Sequence, residues 1–571
     1  LKIDDALVEG NGEVDTGSRI ISISNFQAGA GLIEFKACNF AAGEHTFWIG
    51  FDGDGDGNFE GVADSTTEVT FTVEVLQESG YEKVLTLASN GTVTEGNWDD
   101  FYNQVVNEGN DCKVRFDGRV IAPIHIEYTS SSVTFDFAPL HAYHNGWDSY
   151  AYIDLQKGVR AGIGAAYRRG HDDVVWMKDR DQHPEAEWHP FDVEVFCKRE
   201  NPYRKVASFA ADGTATMGSF DAARDLAVNG AASCKLRYDN RLSPALHLEY
   251  DTENLYFDFV SLAAIHNTWD AYAYINVRKN VRAGIGASYR RGHDDVVWMK
   301  DRDQHPEAEW HAMGVDLFCT EAYDKVLSID ANGEVLEGSW EDFRNRALYE
   351  GRACKIRFDQ RVAIPSYIEY DEGDVRFDFQ NLSAYHNGWE AFAYIDVEKG
   401  VRAGIGATYR RGHDDVVYLP TFEQHPESEW HAMPLDLFCE PDIDDTFGGY
   451  QGSGVIAFSG AISGSGWSQF HDLVAGQTAD CKLRFDGRIL LPELIEFSDL
   501  SFHFDAVSLV ATHDTWDSYA LFLVEKETRA GIGSCYRRGH DNIVWMKDRA
   551  QHDHTPWPDE FVAKSADLLC R

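Results

Sequence analysis

Histidine, tryptophan and a carboxylate recur together four times along this chain. The pattern His-[Asn/Asp]-x-Trp-[Asp/Glu] occurs at His144, Trp147 and Asp148, at His266, Trp269 and Asp270, at His386, Trp389 and Glu390, and at His513, Trp516 and Asp517. A second pattern, Tyr-Arg-Arg-Gly-His-Asp, follows each one. It supplies Tyr167, Arg168, Arg169, His171 and Asp172, then Arg290, Arg291, His293 and Asp294 after Tyr289. It returns as Arg410, Arg411, His413 and Asp414 after Tyr409, and as Arg537, Arg538, His540 and Asp541 after Tyr536. A Gln-His pair comes third, at His183, His305, His425 and His552. A fourth histidine, His189, His311 or His431, is missing from the last copy, where Pro558 follows Trp557.

These residue types admit four chemistries. An indole beside imidazole, amide and carboxylate offers a stacking face for a sugar and polar edges for its hydroxyls. Paired arginines suit a sulfate or carboxylate substituent, and four copies would add avidity for an acidic polymeric glycan. Imidazoles and carboxylates also bind zinc or copper, but no His-x-His or His-x3-His pair recurs, so convergence would depend on the fold. Acid–base catalysis is open to a His–Asp pair, and Asp148 with Asp172 could form a glycosidase-like carboxylate pair. No serine recurs in a Gly-x-Ser-x-Gly turn and no cysteine stays free in every copy. Finally, the interleaved acids and bases could form a network that pins a loop, or a face docked on a neighbouring unit or molecule.

The elements that carry these residues form a tandem repeat. Eight of the ten cysteines fall into pairs, Cys112/Cys197, Cys234/Cys319, Cys354/Cys439 and Cys481/Cys570, and each leading cysteine opens Cys-Lys-[Val/Ile/Leu]-Arg-[Phe/Tyr]-Asp. One disulfide inside each repeat is expected, fixing the first strand to the last. Cys38 and Cys535 are left over. The expected domains are residues 1–79, then repeats at 80–199, 200–320, 321–440 and 441–571, with short linkers that suggest a semi-rigid row.

Each repeat reads as antiparallel β with one helix. Asn90-Gly91, Asp212-Gly213 and Asn332-Gly333 sit between alternating runs and predict hairpins. "SWEDFRNRALYEG" predicts a helix with Ser339 as N-cap, acids in its first turn and a closing glycine. "CKIRFDQRV", "SYIEYD", "DVRFDFQNL", "EAFAYIDVEKG" and "VRAGIGATYRRG" read as strands, followed by the charged passage as a long ordered loop. The expected fold class is mainly β: an N-terminal β-sandwich-like domain, then four α+β repeats.

Divergence within the chain is uneven. Val159–His189 matches Val281–His311 except at Ala166/Ser288, yet Tyr81–Cys112 and Tyr203–Cys234 agree at fewer than half their positions. The second half of each unit is therefore held by something it touches. In the first domain, "FDGDGDGNFEGVAD" carries Asp52, Asp54, Asp56, Asn58, Glu60 and Asp64. It resembles the Asp-x-Asp-x-Asp-Gly start of an EF-hand calcium loop. The twelfth position is Ala63 and the flanks read as strands, so calcium between strands is expected rather than an EF-hand.

Asp and Glu number 95 against 51 Lys and Arg, for a formal charge of −44. That excludes nucleic acid as partner, which needs a basic face. No apolar run is long enough to span a membrane. Paired cysteines and the sequons at Asn90 and Asn381 point to an oxidising, secreted setting, with any leader already removed. The expected function is a secreted structural or adhesive protein, calcium-associated, assembling with itself or other extracellular proteins into filaments or matrix. A multivalent lectin for acidic glycans comes second. A polysaccharide-active enzyme comes third, and no enzymatic activity is expected.

Overall fold

A computed structural model describes residues 12–15, 20–23, 43–51 and 65–73 of the first domain. Beyond it the described residues are 80–137, 141–144, 147–167, 185–259, 263–266, 269–289, 307–386, 389–409, 427–441, 451–464, 466–506, 510–513, 516–536 and 560–570. The first domain and residues 79–571 are separate compact units. Two antiparallel hairpins are described in the first: Gly12–Asp15 with Ile20–Ile23, and Gly43–Phe51 with Ser65–Val73. Residues 52–64, with the proposed calcium ligands, join the second hairpin and lie outside the described residues.

The first repeat defines the unit. Its strands are β1 (Tyr81–Leu87), β2 (Val93–Gly96), β3 (Cys112–Phe116), β4 (Arg119–Ile121), β5 (His125–Thr129), β6 (Ser132–Asp136), β7 (His141–His144), β8 (Trp147–Gln156), β9 (Arg160–Tyr167), β10 (Glu185–Pro190) and β11 (Val193–Lys198). Helix α1 (Trp98–Tyr102) continues into a π-type turn, Asn103–Asn107. The expected Ser339 cap forms, accepting from the amide of Asp342, and Asn97 and Ser219 do the same in the first two repeats, with Asp99 and Asp100 and with Ala222. Gly91, Gly213 and Gly333 close the expected turns at φ 80°, 74° and 76°.

The unit is split between two sheets. Strands β1, β2, β3, β4 and β11 belong to one, and β5 to β10 to another. The two halves face each other across one core, where Leu85, Phe101, Val114 and Val195 meet Phe135, Ile153 and Ile163. Burying such side chains stabilises by about 1.5–3 kcal/mol each. The order in every sheet is β10-β9-β8-β6-β5 of one repeat, then β4-β3-β11-β1-β2 of the next, with β7 beside β8. In the third repeat β6 and β7 run on as Asp374–His386.

The expected row of repeats is in fact a closed cycle. β5 pairs with β4 of the following repeat at each of three junctions, and Leu494–Ser498 of the fourth repeat pairs with β4 of the first. The registers correspond: Glu127 faces Arg241, Glu249 faces Arg361, Glu369 faces Arg488 and Glu496 faces Arg119. Every β4 and β5 edge is thereby paired within the chain.

All four expected disulfides are present inside their repeats: Cys112–Cys197, Cys234–Cys319, Cys354–Cys439 and Cys481–Cys570. The strands they join differ from the expectation. Each bridge links β3 to β11, which are neighbours in one sheet, and each leading cysteine lies directly opposite its partner: Cys197 faces Cys112, Cys319 faces Cys234, Cys439 faces Cys354 and Cys570 faces Cys481. The first strand, β1, pairs on the other side of β11 and carries no cysteine. The reason is the order of the half-sheet, in which β11 runs between β3 and β1. All eight cysteines are buried.

Two further expectations change. "CKIRFDQRV" is a hairpin rather than one strand, turning at Asp359 and Gln360, both at positive φ. Part of the charged passage is a strand, since Glu185–Pro190 pairs with β9. Among the described residues no helix is long and apolar enough to cross a membrane. Four disulfides are compatible with an extracellular protein.

Candidate functional site

Strand register gathers the recurring motifs. His144, at the end of β7, pairs with Trp147, at the start of β8. One strand over, Ser149 faces Tyr167, and Ala166 faces Glu185. His144, Trp147 and the residues flanking positions 168–184, Tyr167 and Glu185, thus share one end of one half-sheet. The second and third repeats repeat this with His266/Trp269, Ala271/Tyr289 and Ser288/Glu307, and with His386/Trp389, Ala391/Tyr409 and Thr408/Glu427. The fourth does so with His513/Trp516 and Ser518/Tyr536. Asp148, Asp270, Glu390 and Asp517 follow on β8 and its equivalents. Arg168, Arg169, His171, Asp172 and their counterparts lie outside the described residues, as do His183, His305, His425 and His552. The bridged cysteines take no part in this end: Cys197, Cys319, Cys439 and Cys570 sit on β11 and its equivalents, in the other half-sheet.

Behind that end lies a polar cluster on the sheet face, which sequence reasoning missed. Arg160 donates to Asp154 and Glu185 and lies 3.9 Å from the centre of the Trp188 ring. Tyr152 donates to Glu185 at 2.8 Å. Burial, then Glu185, pushes the Tyr152 phenol well above its ordinary range. Tyr274, Glu307, Arg282 and Trp310 repeat the arrangement, as do Tyr394, Glu427, Arg402 and Trp430. In the fourth repeat the tyrosine, aspartate and tryptophan positions hold Leu521, Leu523 and Phe561, which pack together. His189, His311 and His431 stand at the edge of the cluster, about half exposed.

This cluster explains part of the constancy. A Cβ on Gly164 would meet the Tyr152 ring at 2.5 Å, and Gly286 and Gly406 are equally close to Tyr274 and Tyr394. The glycines of "RAGIG" are required by packing.

The described contacts between repeats use different residues. Lys235 reaches the carbonyls of Gly109 and Asn110 and the Asp111 carboxylate, at 2.9, 3.2 and 2.6 Å. Lys113 does the same with Thr478, Ala479 and Asp480. Arg237 caps the last turn of the preceding helix through Val106 O at 3.1 Å. Arg115, Arg357 and Arg484 cap theirs through Ala475, Val228 and Leu348. A cation there meets free carbonyls and the negative end of the helix dipole. Arg119–Glu496, Arg241–Glu127, Arg361–Glu249 and Arg488–Glu369 bridge the four junctions. The available signal was the Cys-Lys-x-Arg string, constant inside a half that otherwise drifts.

Asp111 shows the electrostatic balance. Burial would raise its pKa, but Lys198 and Lys235 outweigh that and hold it well below the usual carboxylate range. Among the described residues no three of His, Cys, Asp and Glu come together as a metal centre would need. No family model, curated protein or solved structure matches this chain.

Proposed function

We propose that this is an extracellular adhesive protein that engages a hydroxyl-rich, repetitive glycan through four equivalent loop clusters at once. One observation carries the reading. The strand ends that flank the recurring segments lie at one end of a half-sheet, and the closed cycle repeats that end four times. Preformed spacing lets the second and later contacts form at high effective concentration. The tryptophan would stack on a sugar ring and the arginine pair would read an acidic substituent. A net charge of −44 opposes a polyanion at long range, so binding to an acidic glycan should strengthen as salt rises to physiological levels. Calcium held by Asp52, Asp54, Asp56, Asn58, Glu60 and Asp64 would organise the first domain.

A second reading, assembly into matrix, is favoured by the exposed histidines beside the clusters. It would use the loop ends or the outer strands β2 and β10, because the described junction strands are paired within the chain. One experiment addresses both. The full chain is tested on a sulfated glycosaminoglycan, a uronic-acid polymer and a neutral glucan, with light scattering at several concentrations. The reading expects a monomer whose avidity drops steeply as Trp147, Trp269, Trp389 and Trp516 are changed to Ala in turn. Concentration-dependent assembly lost in the same variants would favour matrix formation. A monomer that binds none of the three polymers would sink the glycan proposal.

A further inference from the structure

The junction between the second and third repeats lacks a charge that two other junctions have. Lys235 meets Asp111 and Lys113 meets Asp480. Opposite Lys355 the corresponding residue is Ser233, whose hydroxyl lies 3.1 Å from that of Tyr323. Lys355 is 5% exposed; its Nζ donates to Ala232 O at 2.7 Å and lies 5.1 Å from the centre of the Tyr323 ring. Glu440 attracts it through space, but burial dominates and pushes the amine down to about 7.

Beside Lys355 is a cavity of about 20 Å³, lined also by His247, Ala245, Phe257, Val362 and Ile364. His247 is buried; Nδ1 lies 3.0 Å from Asp258 Oδ2, and Nε2 has no hydrogen-bond partner among the described residues. The surroundings of the histidine differ between junctions at two positions. At the first junction the equivalent His125 is bonded to Ser243, which the Tyr238 hydroxyl also reaches. At this junction those two positions are Ala363 and Phe358.

We propose that this cavity is a binding site for one small anion, a halide such as chloride, held between Lys355 Nζ and His247 Nε2. The volume suits a single water-sized occupant and is too small for sulfate or phosphate. A water there would bring no charge to offset the buried ammonium, which Glu440 attracts only through space. A halide compensates it, as Asp111 and Asp480 do at their junctions. Nδ1 is engaged with Asp258, which leaves Nε2 to face the anion.

The test uses the full chain, crystallised without chloride and soaked in bromide. An anomalous peak within hydrogen-bonding reach of both Lys355 Nζ and His247 Nε2 is expected; density without anomalous signal would overturn the site. In solution, sodium bromide should raise the unfolding midpoint saturably above sodium gluconate at equal ionic strength. That gain should vanish in Ser233→Asp, which supplies a carboxylate, and in Lys355→Met. Equal responses to the two salts in the wild-type chain would also refute the proposal, whether or not either variant folds.

Discussion

Replacing Lys355 with Met should remove a specific pH dependence of stability. The wild-type amine titrates at about 7, against 10.5 for an ordinary lysine. Between those values the unfolded chain binds more protons than the folded one, so stability rises with pH across the window. The gap is about 3.5 pH units, and at about 1.4 kcal/mol per unit it sets an upper limit near 5 kcal/mol. Local relaxation around a buried ammonium reduces this to roughly 2–4 kcal/mol. The assay is urea unfolding of the full chain in chloride-free buffer from about pH 7 to about pH 10, comparing midpoints of wild type and Lys355→Met. Tyrosines and other lysines titrate in the same range, but they cancel in the difference. The variant should be the more stable near neutrality, and the two should converge near the alkaline end. Ser233→Asp should also flatten the difference, by pairing the charge rather than deleting it. Parallel pH profiles for wild type and Lys355→Met would refute the reasoning.

Further outcomes follow from other contacts. Asp374 is pushed up to about 8, first by burial and then by its hydrogen bond to Asp396. Its folded form keeps a proton that the unfolded chain has lost, so stability should fall as pH rises from about 4 to about 8, and Asp374→Asn should abolish that fall in the same urea assay. Gly164→Ala would drive a methyl into the Tyr152 ring and should cost about 1–3 kcal/mol, read as a lower melting temperature. Gly158, at φ 72° with open space around it, should cost only about 1 kcal/mol when changed to Ala. Deleting residues 441–571 would expose β4 of the first repeat and Tyr367–Tyr370 of the third as bare edges. That variant should associate in light scattering.

Much of the fold could be read from local chemistry. Asn-Gly and Asp-Gly pairs marked the first hairpin of three repeats, and Ser339 capped its helix, because turns and caps depend on neighbours in sequence. The cysteine spacing likewise gave the right partners, Cys319 for Cys234, Cys439 for Cys354 and Cys570 for Cys481, but not which strands would lie side by side. The Asp117-Gly118 turn was legible on the same grounds as the hairpins but was hidden by the continuous run of the third repeat, where Gln360 takes the left-handed position. The cycle was not legible. Pairing of Leu494–Ser498 with β4 rests on contacts between the two ends of the repeat array, and no periodicity reports whether a row of units closes. The candidate site was half legible. The motifs were plain, but their convergence needed strand register, and the cluster of Tyr152, Glu185 and Arg160 draws on three separate strands.

Closure also divides the constant residues into two groups with different duties. Lys113, Arg115 and Arg119, with their equivalents, keep the cycle shut, and each acts on the preceding repeat. The glycines of "RAGIG" and the arginine stacked on Trp188 keep one half-sheet packed. The fourth repeat separates the groups further. It has exchanged the tyrosine, aspartate and tryptophan of the cluster for Leu521, Leu523 and Phe561, yet it keeps Arg537, Arg538, His540 and Asp541. The loop motif thus outlasts the polar packing behind it. That is the expected pattern for a contact surface, not for a buried brace.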